Sequence, residues 1–154
     1  MLIKDPKALP DKWGKRPSDR TVGELLQAGV IALDKPRGPT SHQVTAWVRD
    51  ALHVEKVGHG GTLDPYVSGV LPICLGKAVR LTDIVLSSDK EYVCLMTLHR
   101  DMPEKKVREI IGSFQGKIYQ MPPVRSAVKR QLRIRNIREL EILEIDGRDI
   151  LFRV

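Results

Sequence analysis

The chain has 154 residues, 42% of them hydrophobic and 29% charged, with 26 Lys and Arg against 19 Asp and Glu for a net charge of +7. That length fits one domain able to bury about two-thirds of its unfolded surface without a disulfide or metal staple, and the apolar share excludes a largely disordered chain. No apolar run approaches the ~20 residues of a membrane helix, the N-terminus MLIKDPKALPDKW lacks the apolar stretch of a signal peptide, and Cys74 and Cys94 form no CxxC pair, which argues against zinc and for a reducing, cytoplasmic setting.

Residues 1–28 are rich in Pro and Lys and read as a basic N-terminal arm, within which Thr21 to Ala28 suits a short helix. Val30 to Leu33 is a strand, stopped by the turn cluster Asp34-Lys35-Pro36-Arg37-Gly38-Pro39. Ser41 is placed to cap a helix whose apolar face is Val44, Trp47, Val48, Ala51 and Leu52. Lys56 to Pro65, with Gly58, Gly60 and Gly61, reads as a loop with an unusual backbone path. Gly69 to Leu75 is a buried strand, Lys77 to Leu86 a short helix, and Ser87-Ser88-Asp89 a turn. Glu91 to Leu98 alternates, with Tyr92, Cys94, Met96 and Leu98 on one face. Pro103 and Glu104 open a helix with Val107, Ile110, Ile111 and Phe114 on one stripe. A strand from Gly116 to Met121 precedes the basic segment, and two last strands, Ile137 to Ile145 and Asp149 to Val154, flank the hairpin signal Asp146-Gly147. The fold class is α+β, with a mixed, largely antiparallel sheet and flanking helices.

Two features carry chemistry. The first is the basic segment: Arg125, Lys129, Arg130, Arg133, Arg135 and Arg138 occur without one acidic residue, so the other 140 residues sum to only +1. Such a concentration suits a surface that tracks phosphates, although a solvated face would show the same charges. The second is Gly58-His59-Gly60-Gly61-Thr62-Leu63-Asp64-Pro65, which sets a His and an Asp on one constrained turn. Functional groups concentrate on such loops, while a plain Asp-Pro turn punctuated by glycines is the bland alternative. Neither GxxxxGK[ST] nor GxGxxG is present. Tyr92, on an alternating strand, reads by itself as packing.

Leu33-Asp34-Lys35-Pro36, Gly38-Pro39-Thr40-Ser41-His42, Gly58 to Pro65 and Ser68-Gly69-Val70-Leu71-Pro72 together resemble the TruB family of pseudouridine synthases. Lys90-Glu91-Tyr92-Val93 and Pro122 to Gln131 resemble its dyskerin branch, the archaeal and eukaryotic RNA-guided enzymes of box H/ACA particles. The resemblance implies a basic arm over 1–28 and the N-terminal part of the catalytic domain over 29–154. Asp64 matches the catalytic aspartate and Tyr92 the tyrosine that stacks on the flipped base. His59, Arg125, Lys129, Arg130 and Arg133 fall where RNA is held, and Lys35, Pro36, Gly60 and Gly61 where the catalytic loop is supported. No metal or organic cofactor is implied. The implied partners are tRNA, rRNA, H/ACA guide RNA and small accessory proteins, with no membrane, and a complementary C-terminal polypeptide. The family's Gly-Thr-Tyr-Ile-Arg motif, whose arginine pairs with the catalytic aspartate, and its PUA domain are not in these 154 residues. The expectation is an isomerase of uridine in RNA whose isolated chain is inactive; the alternative is a non-catalytic RNA-binding or scaffold module.

Overall fold

The computed structural model describes residues 14–122 and 130–154. These fall into two compact units, divided between Ser88 and Asp89, each with its own core. Every strand pairing among the described residues is antiparallel, and with the helices this gives the expected α+β class.

In the first unit, α1 (Val22–Ala28) starts at Thr21, whose hydroxyl accepts from the Glu24 amide while the Glu24 carboxylate accepts from the Thr21 amide. Strands β1 (Val30–Lys35), β2 (Val57–His59) and β3 (Gly69–Leu75) form a sheet in the order β1-β3-β2. The Gly-rich segment therefore contains a short strand, β2, where the sequence suggested only a loop. Proline in a central strand is unusual because it cannot donate to the ladder. Pro72 is tolerated because β2 stops at His59, opposite Ile73. Beyond that point only the Pro72 carbonyl is used, accepting from the Gly60 amide at 2.8 Å.

Helix α2 (Ser41–Leu52) begins one residue away from the expected cap. Thr40, not Ser41, is the cap: its hydroxyl accepts from the Gln43 amide at 3.1 Å, and the Gln43 side chain accepts from the Thr40 amide at 2.8 Å. With the cap supplied, Ser41 is free for another task. Val44 packs with Leu71, Ile73 and Leu75 to make the core, joined by Val48, Leu52 and Leu63. Trp47 and Ala51, expected on the buried face, are exposed, Trp47 by 57%. The helix expected over 77–86 is a 3-10 segment, Gly76–Leu81, leading into α3 (Thr82–Ser87).

In the second unit, β4 (Val93–Thr97) pairs with β8 (Asp149–Arg153), which pairs with β7 (Glu141–Asp146). α4 (Glu104–Gly112) contributes Val107 and Ile111 to a core with Ile150. A separate two-stranded ribbon joins β5 (Gly116–Gln120) to β6 (Arg133–Ile137). The strand expected over 137–145 is thus two strands broken at 138–140, and the end of the basic segment is itself strand β6.

Candidate active-site loop

Asp64 lies in the first unit on the irregular segment between β2 and β3, and its fixed position comes from the stretch that links β1 to α2. The Lys35 side chain is fully buried, and its ammonium donates to the carbonyls of Pro36 at 3.0 Å, Asp64 at 3.2 Å, Pro65 at 3.5 Å and Val67 at 2.8 Å. A buried charge is costly unless its protons are satisfied; here four oxygens share three N–H groups. The Arg37 Nε donates to the Tyr66 carbonyl at 3.0 Å, and the Gly38 amide to the Pro65 carbonyl at 2.7 Å.

Ser41 closes the series. Buried to 1% exposure, its hydroxyl donates to the Leu63 carbonyl and accepts from the Leu63 amide, both at 2.9 Å. Every carbonyl from Leu63 to Val67 is therefore taken by a group between Lys35 and Ser41, and the Leu63 side chain is seated against the core. Strand β1, its turn and the first turn of α2 act as one brace on five consecutive residues.

What the brace leaves free is the Asp64 side chain. It is exposed, and no ion pair or hydrogen bond engages its carboxylate among the described residues. Gly60 fits a different need: a Cβ there would collide with Val85 of α3, so the loop can lie against that helix only with glycine. Gly61 is half-buried beside it.

His59, the last residue of β2, meets His42 of α2 edge to face, ring centroids 4.8 Å apart and planes at 90°. Burial holds its imidazole below the ordinary range, with the Gly61 backbone opposing and the facing His42 adding to the effect. Its buried Nδ1 has no well-formed hydrogen bond among the described residues. His42 is exposed in the first turn of α2, yet it is the ring against which His59 rests.

The second unit holds Tyr92, 42% exposed, immediately before β4. Its amide donates to the Val154 carbonyl at 2.8 Å and its carbonyl accepts from the Val154 amide at 3.0 Å, so the β4–β8 ladder fixes its backbone. Arg133 opens β6 opposite Gln120, and Arg130 is exposed just before it. Arg138 pairs with Asp89 at 2.6 Å. Arg125 and Lys129 lie outside the described residues. The structure thus gathers Lys35, Pro36, His59, Gly60, Gly61 and Asp64 in one unit and Tyr92, Arg130 and Arg133 in the other.

Residues 49–104 match the family model described as TruB family pseudouridylate synthase (N terminal domain), and residues 1–45 match the DKCLD (NUC011) domain. A relative from Methanothermobacter thermautotrophicus named "Probable tRNA pseudouridine synthase B" is 55% identical over 152 residues, which is 99% of this chain and 47% of the relative. One of the same name from Pyrococcus abyssi is 56% identical over 155 residues, 100% of this chain and 46% of the relative. Among solved structures, a Cbf5-Nop10-Gar1 complex aligns at TM-score 0.87 and 55% identity, covering 99% of this chain and 47% of the matched one. An H/ACA RNP bound to a substrate RNA containing 2'-deoxyuridine aligns at TM-score 0.83 and 50% identity, covering 99% and 45%. The chain spans about half the length of these relatives. On these matches, with its own Lys35–Ser41 and Gly58–Pro65 motifs braced together, the chain corresponds over its whole length to the N-terminal half of TruB/dyskerin-type pseudouridine synthases.

Proposed function

We propose that this chain supplies the aspartate-bearing part of an RNA pseudouridine synthase, acting on the T-loop of tRNA and on guide-selected uridines in rRNA. The observation that carries this is the brace: five consecutive backbone carbonyls are held while the Asp64 carboxylate is exposed and unpaired among the described residues. An active-site carboxylate needs that combination, because a fixed backbone sets its aim and a free side chain can meet the substrate.

The reaction breaks the C1′–N1 bond of uridine and forms C1′–C5, with the C5 proton lost and a proton gained at N1, so the net change is an isomerisation. Asp64 serves as nucleophile or base near C1′. The uridine must leave its stack to be reached; Tyr92 stacks on the flipped base and takes part in removing a sugar proton, and His59 helps to eject the base. Lys35, Pro36, Gly60 and Gly61 support the loop. Arg125, Lys129, Arg130 and Arg133 hold phosphates. The domain division follows: a basic arm over 1–28 and catalytic-domain sequence over 29–154. Guide RNA and small accessory proteins of the kind in the matched complexes are the partners, and the cytoplasm is the setting. Among the described residues no helix is long and apolar enough to cross a membrane.

The test is pseudouridine formation in a T-arm RNA. It compares the chain alone, the chain joined to the part of the Methanothermobacter relative it does not cover, and the joined protein with Asp64→Asn. The joined protein is expected to be active, with Asp64→Asn lowering the rate by about 10²–10⁴-fold or more. A joined Asp64→Asn protein as fast as its parent would overturn the assignment.

A further inference from the structure

A cleft in the first unit, separate from the Asp64 loop, has no role in the reading above. It encloses about 640 Å³, within the range of ligand pockets, and lies between the residues after α2, the 3-10 segment and α1. Its floor is aliphatic, formed by Leu26, Leu52, Val54 and Val79. Its rim carries Lys56, Lys77 and Arg80, all exposed, and a single acid, Glu55.

The cleft is built rather than incidental. The Gly76 amide donates to the Lys56 carbonyl at 2.8 Å, tying one lip to the other, and the Leu75 amide donates to the Gly29 carbonyl at 2.9 Å. Gly76 has φ +53°, and a Cβ there would strike the Gln27 carbonyl, so only glycine lets the 3-10 segment close against α1. A neighbouring recess of about 460 Å³ shares Gln27 and Lys77 with the cleft and extends it toward Lys15 and Arg20. Those two cations are already engaged: Lys15 pairs with Glu24 at 2.7 Å, and Arg20 donates to the carbonyls of Lys15 and Ala28. Lys56, Lys77 and Arg80 are different, for none forms an ion pair among the described residues.

We infer that this cleft is an accessory RNA-binding site, with strand phosphates on Lys56, Lys77 and Arg80 and a sugar or base face against the aliphatic floor. The inference rests on the RNA-binding reading and adds a second place of contact to it. Three unengaged cations around an apolar floor match an RNA strand, whose charge repeats along one edge while its bases present flat apolar faces. A polyacidic peptide such as polyglutamate would satisfy the cations but offers no flat apolar face to the floor. Glu55 works against either anion, so its removal has a defined sign.

The experiment is a salt titration of a fluorescently labelled T-arm RNA bound to the 154-residue chain, followed by anisotropy. It compares the parent, Lys56→Ala/Lys77→Ala/Arg80→Ala, and Glu55→Gln, with circular dichroism as a check that each variant folds. Loss of three phosphate contacts is expected to reduce the slope of log affinity on log salt by about 2, and Glu55→Gln is expected to bind more tightly. Photo-crosslinking with 4-thiouridine RNA should label peptides containing Lys56 or Lys77. RNA binding by the parent with an unchanged slope in the triple variant, and no crosslink there, would overturn the cleft while leaving the RNA reading intact. No RNA binding by the parent at all would overturn both. Loss of polyglutamate binding alone in the triple variant would overturn the RNA assignment in favour of an acidic protein partner.

Discussion

Asp64 and Tyr92, the two residues proposed to meet the uridine, are held by opposite means. Asp64 sits on irregular backbone, and side chains brought from residues 35–41 hold that backbone in place. Tyr92 sits at the end of a regular ladder, where Val154 satisfies both its amide and its carbonyl. A ladder depends little on which side chains it carries. A braced loop depends on each brace, since losing one strands a buried polar group that water cannot reach. The first unit should therefore be sensitive to single side chains that the second would tolerate.

The largest expected break in that contrast is Lys35→Met. It keeps a long side chain but removes the cation shared by four carbonyls, and should destabilise the first unit by about 3 kcal/mol or more in urea unfolding. Ser41→Ala should cost about 1–3 kcal/mol, because the Leu63 amide and carbonyl lose their common partner. Tyr92→Phe, with the ladder intact, should cost under about 0.5 kcal/mol, as exposed positions do. If Ser41→Ala and Tyr92→Phe unfold at the same urea concentration as the parent, the brace has no energetic weight.

A smaller effect sharpens the comparison through pH. The His59 imidazole is held below its ordinary value of 6.5, so as pH falls the unfolded chain takes up a proton before the folded one. Its contribution is full above pH 6.5 and is lost as pH drops through the lowered native value. Unfolding midpoints measured from about pH 7 down to about pH 5 should decline in the parent and decline less in His59→Gln. Parallel profiles for the two proteins would remove His59 as the source.

The sequence disclosed those parts of the fold that repeat. The apolar spacing of α2 and α4, the continuous run of β3 and the alternation of β4 each reflect a local pattern, and each element is present; the hairpin signalled at Asp146-Gly147 is also present, with its loop one residue later, at Gly147-Arg148. What stayed hidden depends on distant partners. β2 has only three residues, with Gly58 at its centre and Gly60 directly after it, and exists because β3 offers an edge. β6 is a polar strand that pairs with β5 as an isolated ribbon, so burial leaves no alternating pattern on it. Trp47 satisfied the helical period yet lies at the margin of the stripe, exposed.

The candidate site divides in the same way. The Gly-rich loop and its Asp64 could be picked out from composition, and the family motifs drew attention to Lys35. Ser41 could not be picked out, since its bond to Leu63 spans 22 residues of sequence and a helix-start serine is ordinarily a cap. A signal was nonetheless present: Thr40 and Gln43 already complete the capping pair, which leaves the adjacent serine without a local task. Arg37 and Gly38 were read as turn residues, and their bonds to Tyr66 and Pro65 reach still further along the sequence.

The brace's purpose is most directly tested by Ser41→Ala in the joined protein, with single-turnover pseudouridine formation and RNA affinity measured on one preparation. Misplacing the Asp64 loop should slow the chemical step by roughly 10–10²-fold while RNA affinity stays at the parent value. A rate equal to the parent's, in a variant shown to have lost the stability that Ser41 provides, would contradict the claim that the brace aims Asp64.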